Sequence, residues 1–307
     1  MNVLSLFDGM SCGRIALERA GIKVNNYFAA EIDKYAIKVS KANWPDIEHL
    51  GDVTNNCFWD LPKIDLLIGG SPCQGFSFSG KQLNFDDPRS KLFFSFIDCL
   101  NAFKPKYFFL ENVRMKKESE RVITKLLGVD PIKINSALVS AQNRKRLYWT
   151  NIPGICQPND KGIILRDILE NGENFVYQRA RGNNPGGLRS DKSPCMGASS
   201  WQHNVKVLSK AALVRIERKN YSKPKIMPEK TGTLNTVNNA PKLCFDSGST
   251  LIPVGGGDYR MLVPVECERL QTVPDNYTNH VSKTQRYKML GNCWTIDVIV
   301  HIFKGLK

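Results

Sequence analysis

The sequence predicts an α/β protein with a doubly wound, largely parallel sheet and a smaller, irregular domain inserted before its last helices. Three observations lead there. Short apolar runs alternate with helical patterns through residues 1–150, as in strands joined by crossover helices. Turns rich in glycine, or bearing a carboxylate, follow several of those runs, at strand ends where open α/β sheets bind ligands. From about residue 151 the periodicity weakens and Asn, Gly, Ser and Pro become frequent, until regular pattern returns at Pro264.

Each element has its own signal. Asn2–Leu6 is apolar and short enough for a buried strand, and Cys12–Ala20 (CGRIALERA) is an amphipathic helix opening directly after a turn. Asn26–Glu31 reads as the second strand, and Asp33–Trp44 as a helix that stops before Pro45. A short apolar run over Ile47–Leu50 precedes a core strand at Ile64–Ile68, which ends on Gly69-Gly70. Ser90–Phe103 places Leu92, Phe93, Phe96, Ile97 and Leu100 on one helical face. Tyr107–Glu111 (YFFLE), Ile132–Val139 and Arg146–Thr150 read as further strands, and Val265–Gln271 and Thr295–Phe303 as helices. The organisation expected is a core over 1–150, an inserted module over 151–265, and a segment over 266–307 that returns to the core.

Composition narrows the partners. The 307 residues are 42% hydrophobic and carry 43 Lys and Arg against 29 Asp and Glu, a formal net charge of +14. That excess favours an anionic partner, with nucleic acid the commonest; a basic surface without a ligand is the plainer alternative. Residues 151–265 hold 16 Lys and Arg against 9 Asp and Glu, so half of the excess lies in little more than a third of the chain. No apolar stretch is long enough to span a bilayer, and the first residues, MNVLSLFDGMSCG, lack the pattern of a secretory signal. An intracellular, cytoplasmic protein is expected. Nine widely spaced cysteines without a CxxC pair argue against a disulfide framework or a zinc site, so no metal is expected.

Four loops concentrate the chemistry. In Phe7-Asp8-Gly9-Met10-Ser11-Cys12-Gly13, glycine allows backbone to approach a ligand at a helix N-terminus. Glu31 follows at the distance where a carboxylate accepts ribose hydroxyls, or it caps the next helix. Asp52 in Gly51-Asp52-Val53 could meet an adenine amino group. In Gly69-Gly70-Ser71-Pro72-Cys73-Gln74-Gly75 a thiol stands at a strand end. The long segment Gly75–Lys91 after it has the length of a functional lid. Glu111, in Glu111-Asn112-Val113, ends an apolar strand, where a carboxylate is costly unless paired or used as an acid. A Cys-His hydrolase is a rival, but His49, His203, His280 and His301 follow no core strand at a motif.

Taken together, these motifs resemble the DNA cytosine-5 methyltransferases over almost the whole chain. The segments are LFDGMSCG, AEIDKYA, GDV, GGSPCQGFSFSGKQ with FDDPRSKLFF, FFLENV, AQNRKRLYW, PVECERLQTVPDNY and LGNCWTIDVI, in the family's order. LFDGMSCG and the Trp of GNCW look similar to the animal de novo DNA methyltransferases; the short chain looks bacterial or phage-like. Many bacterial members carry Gly-Gly where this chain has Ser11-Cys12, and a small residue then Val where it has Cys293-Trp294.

The resemblance implies a methyltransferase core that binds S-adenosyl-L-methionine and a target-recognition domain over 151–265. It implies that Phe7, Asp8, Gly9, Met10, Cys12, Glu31, Ile32, Asp52, Val53, Pro72, Leu92, Asn292, Cys293 and Trp294 line the cofactor pocket. Cys73 is then the nucleophile, Glu111 the acid, and Arg144 the residue that orients the base. Gln74, Ser79, Lys81, Gln82, Arg89, Arg146 and Thr233 are candidates for contact with double-stranded DNA. A monomer and a cognate restriction endonuclease in the same bacterial or phage-infected cell belong to the same expectation. A tRNA methyltransferase on this core and a catalytically silent DNA-binding regulator are the rivals.

Overall fold

The computed structural model describes residues 1–55, 60–71, 88–170, 175–178, 187–196, 205–208, 234–237, 240–244, 250–251 and 259–306. Seven strands form the main sheet: β1 (Asn2–Leu6), β2 (Asn26–Ala30), β3 (Glu48–Gly51), β4 (Leu66–Gly69), β5 (Tyr107–Val113), β6 (Ile132–Asn135) and β7 (Lys145–Thr150). Their order is β3-β2-β1-β4-β5-β7-β6, parallel except for β7, which runs antiparallel to both neighbours. The order reverses beside β1, which puts the crevice of a doubly wound sheet outside the ends of β1 and β4.

Strand side chains alternate between two apolar layers, as the period of two requires. Val3, Leu66, Ile68, Phe109 and Tyr148 join one buried cluster, while Leu4, Leu67, Phe108, Leu110, Leu147 and Trp149 join the other. The first cluster is closed by α1 (Cys12–Arg19), α2 (Lys34–Asn43) and, from the far end of the chain, the last α-helix (Ile296–Phe303); the second by α3 (Pro88–Phe103) and α4 (Lys117–Leu127). Gly13 permits the close fit of α1 on the sheet, because a Cβ there would collide with Ile68 and lie 2.8 Å from the Tyr27 hydroxyl.

The C-terminal segment adds α5 (Pro264–Leu270), α6 (Lys283–Asn292) and α7 (Ile296–Phe303). Polar contacts tie it back to the β1–α2 edge. The Tyr277 hydroxyl donates to the Met10 carbonyl at 2.7 Å, Lys288 pairs with Asp33 at 2.7 Å, and Arg19 reaches Asp297 at 3.1 Å. Buried Glu268 accepts from the backbone of Asn276 and Thr278 and pairs with Arg286 at 3.0 Å, which folds the stretch between α5 and α6 around one carboxylate. Between core and C-terminal segment lie two small antiparallel sheets. One has the order β14-β10-β8-β9, with β8 at Phe175–Gln178, β9 at Gly187–Arg189, β10 at Val205–Leu208 and β14 at Tyr259–Met261. The other is β11-β12-β13, with β11 at Leu234–Val237, β12 at Ala240–Cys244 and β13 at Thr250–Leu251.

Three differences from the sequence expectation have physical reasons. The strand expected over Ile132–Val139 ends at Asn135, whose side chain accepts from the backbone of Ala137 and Arg144, and Ser136–Leu138 form a 3-10 turn. β5 runs on to Val113 because β7 pairs with it that far, so Glu111 and Asn112 lie within the strand rather than after it. Helices α4 and α6 were outside the expectation. The signal for α4 was present: Ile123 and Leu127 are buried one turn apart, and Gly128 follows as a left-handed cap at φ 70°.

Candidate active site

The turn after β1 is held open by left-handed backbone at Phe7, Gly9 and Ser11, with φ of 57°, 63° and 65°. A Cβ on Gly9 would have nothing within 4 Å, so the backbone there faces open space. Asp8 is buried beneath the turn. Its carboxylate accepts from the Tyr27 hydroxyl at 2.7 Å and the Ser11 hydroxyl at 2.6 Å. Burial pushes its pKa up to about 6, with those two hydroxyls pulling the other way and Glu31 adding to the rise. Ser11 also meets the Ser40 hydroxyl at 2.6 Å, which in turn faces His49 Nε2 at 3.3 Å.

Glu31, just past β2, takes the Gly9 N–H at 2.7 Å and the N–H groups of Ile32 and Asp33 at 2.8 Å each. Glu31 therefore braces the residues just before α2, whose N-cap is Asp33, and stands against the glycine of the turn. Beside it Ile32 is 73% exposed, an apolar side chain on an open shelf. Phe7, Val53 and Leu92 share one apolar cluster, and Asp52 is folded into a local turn by Thr54 at 2.9 Å. Met10 and Cys12, expected to line the turn, send buried side chains into the core. Cys12 meets the Cys293 thiol there, and that contact, with burial, raises its pKa. Asn292 is exposed.

These residues suit an adenosyl cofactor. The open backbone of Gly9 leaves a cradle, Glu31 keeps one lone pair for a ribose hydroxyl beyond its three backbone donors, and Ile32 and Phe7 offer apolar surface for a base.

The other side of the cleft is built from β4, β5 and β7. Gly70 stands between two groups: a Cβ on it would lie 2.9 Å from Trp294 Nε1 and 3.4 Å from Glu111 Oε2. The Trp294 ring rests edge-on against Phe109 at 5.3 Å. Ser71 accepts from the Asn112 amide at 3.1 Å, fixing the start of the segment that leads to Cys73.

The Gln142-x-Arg144-x-Arg146 spacing puts three polar side chains at every second position of an extended segment, and the two arginines do different things. Arg146 lies diagonally across from Glu111 in the β5–β7 pair, within reach for long side chains. Its Nε meets Glu111 Oε1 at 3.0 Å, and both side chains are nearly buried, 14% and 12% exposed. Arg144 is only 3% exposed. It donates to the carbonyls of Met196 and Cys293 at 2.9 Å and of Gly291 at 3.3 Å. The arginine expected to orient the base thus clamps the backbone before Trp294, and the arginine expected on DNA pairs with Glu111. The spacing gives both arginines the same face and does not say which one meets Glu111.

Sequence reasoning also missed Cys195, which contacts both arginines. Its signal was a second Ser-Pro-Cys, Ser193-Pro194-Cys195, repeating Ser71-Pro72-Cys73. Pro72, Cys73, Gln74, Ser79, Lys81, Gln82 and Thr233 lie outside the described residues, as does the side chain of Arg89.

A doubly wound sheet with a nucleotide-type turn on one side of its crevice and a buried acid–arginine pair on the other defines a cofactor-dependent α/β enzyme. Comparison with known proteins makes this specific. The family profile of C-5 cytosine-specific DNA methylase matches residues 1–129 and 136–307, and the chain belongs to that family. It is 30% identical to the type II methyltransferase M.NlaX of Neisseria lactamica, covering 99% of this chain and 96% of that one. It is also 30% identical to the type II methyltransferase M1.ScrFI of Lactococcus lactis subsp. cremoris, covering 97% and 75%. In fold it is similar to a DNMT2 from Spodoptera frugiperda, with a TM-score of 0.63, 20% identity and coverage of 99% of both chains. The protein is a DNA cytosine-5 methyltransferase on the α/β fold of the S-adenosylmethionine-dependent enzymes.

Proposed function

We propose that this protein methylates carbon 5 of a cytosine flipped out of double-stranded DNA, through a covalent bond between Cys73 and carbon 6. The observation that carries this reading is the Glu111–Arg146 pair, 3.0 Å apart and set against Gly70, three residues before Cys73 in the chain.

Carbon 5 of cytosine is a poor nucleophile. Addition of the Cys73 thiolate to carbon 6 breaks the ring's aromaticity and makes carbon 5 enamine-like. Glu111 hands a proton or hydrogen bond to N3 as the S–C6 bond forms, and Arg146 fixes the direction of that carboxyl group. Bound S-adenosylmethionine supplies the methyl group. A base or water then takes the proton from carbon 5, Cys73 departs as the C5–C6 double bond returns, and any proton taken up at N3 goes back to Glu111. Carbon 6 is shielded in a stacked duplex, so the base leaves the helix first. Gly9 and Glu31 hold the cofactor's ribose end, Ile32 and Phe7 its adenine, and Arg144 keeps Trp294 in place through the carbonyls before it.

Residues 151–265 act as the target-recognition domain, where Lys and Arg hold phosphates while a few side chains, Thr233 among the candidates, read base edges. Gln74, Ser79, Lys81, Gln82 and Arg89 fill the gap left by the flipped base or grip the backbone. The protein works as a monomer in the cytoplasm of a bacterial or phage-infected cell, beside a cognate restriction endonuclease; the type II names of its relatives support the endonuclease. The test is a duplex pool carrying 5-fluorocytosine in random flanks. Fluorine cannot leave as a proton does, so the wild type should form an adduct that survives denaturant, and Cys73→Ser should form none. Trapping on RNA but not DNA would overturn the reading.

A further inference from the structure

One nucleophilic side chain stands at this site without a part in the reaction above. Cys195 is open to solvent. Its sulfur takes hydrogen bonds from Arg144 Nη1 at 3.5 Å and Arg146 Nη2 at 3.8 Å. Backbone pairing sets this position. Ser193 N donates to the Ala141 carbonyl at 2.7 Å, and Asn143 N to the Ser193 carbonyl at 2.8 Å. The chain therefore runs alongside the Gln-x-Arg-x-Arg segment and delivers Cys195 to its two arginines.

Charge balance gives the thiol its character. Arg146 has Glu111 as a counter-ion. Among its described partners Arg144 has only carbonyls and the Cys195 sulfur, and its buried Nε has none. With a neutral thiol, Glu111, Arg144 and Arg146 together carry one surplus positive charge in a largely buried cluster, which is costly; a thiolate cancels it. The thiol proton has a single described acceptor, the Met196 carbonyl at 3.6 Å, and Arg144 already donates to that oxygen at 2.9 Å. Burial opposes ionisation of Cys195, but the two arginines outweigh it and draw its pKa down.

We propose that Cys195 is a second reactive thiol of this protein, a modification site for soft electrophiles held as the counter-ion of Arg144 and Arg146. With iodoacetamide, the thiol proton goes to solvent, the sulfur attacks the methylene carbon, and the S–C bond forms as the C–I bond breaks and iodide leaves. The product is neutral and bulky, so it takes the balancing charge from the two arginines together and crowds the Glu111 that Arg146 holds. That last consequence rests on the proposed catalytic reading; the reactivity itself does not.

The experiment alkylates the full chain with iodoacetamide across about pH 6 to 9 and follows individual cysteines by peptide mass spectrometry. Cys156, also exposed, is the reference in the same sample. At neutral pH Cys195 should react about tenfold faster than Cys156. Arg146→Gln should slow Cys195 by a similar factor and leave Cys156 unchanged, and Arg146→Lys should keep most of the rate. Equal rates for the two wild-type thiols would overturn the proposal, and that comparison stands even where Arg146→Gln fails to fold. A folded Arg146→Gln that leaves Cys195 as fast as before would overturn it as well. If Cys195 is fast but duplex DNA with cofactor does not protect it, the placement of DNA under the proposed function fails while the thiol proposal stands.

Discussion

The two sides of the cleft are assembled over different distances along the chain. Around the turn after β1, polar groups hold one another across short stretches: Asp8 with Ser11 and Tyr27, and Gly9 with Glu31. Around β5 and β7, the contacts join Gly70, Glu111, Arg146, Cys195 and the Gly291–Cys293 backbone from five separate parts of the chain. The first arrangement can lose one of these members and keep its shape, since each of these bonds is closed by nearby chain and Tyr277 anchors the Met10 carbonyl from outside. The second depends on the whole fold to bring its members together, so each substitution there should act on activity or stability at once.

The largest effect is expected on the long-range side. Arg146→Gln should lower kcat about a thousandfold while circular dichroism stays unchanged, because the acid loses its positioning partner and not its support in the core. Arg144→Gln should act mainly on stability. It leaves three buried carbonyls without their donor, and denaturant titration should show a loss of about 3 kcal/mol. If the two variants exchange these phenotypes, the division of labour between the arginines is wrong.

On the short-range side the effects are smaller. Native Asp8 holds its proton up to about pH 6, from an ordinary value of 3.8, so between those values the native state binds more protons than the unfolded chain. Its contribution to stability therefore falls as pH rises through that window. Asp8→Asn should remove this slope, gaining of the order of 3 kcal/mol on the wild type between acid and neutral pH, as read from unfolding at several pH values. A parallel pH profile in the two proteins would show that Asp8 does not titrate there. Glu31→Gln, with fewer acceptor lone pairs for the ribose and the three backbone N–H groups, should weaken cofactor binding about tenfold by calorimetry, leaving the fold unchanged.

The same difference in distance explains what could be read from sequence. Most strand and helix positions in the core followed from apolar periodicity, α4 excepted, and the side chains of β1, β4, β5 and β7 divide between two apolar layers. The turn and Glu31 were legible because their partners lie within about 20 residues and the spacing is constrained by the β-α-β unit. Arg144 and Arg146 could not be assigned. Both sit on one face, and only the register of β7 against β5 puts Arg146 diagonal to Glu111. The repeated Ser-Pro-Cys marked Cys195 but not its partners, for a related reason: they are about 50 residues away and joined to it by the pairing of Ser193 with Gln142. The interior placement of Met10 and Cys12 reflects packing of α1 on the sheet, which a glycine-rich motif does not encode.

The most direct test of the account is to identify the product. The protein would be incubated with duplex DNA and S-adenosylmethionine, with transfer RNA in a parallel reaction, and each nucleic acid digested to nucleosides for mass spectrometry. The account predicts 5-methyldeoxycytidine from the DNA alone, and none with Cys73→Ser. Methyl groups on an exocyclic nitrogen, or only in the RNA, would contradict it.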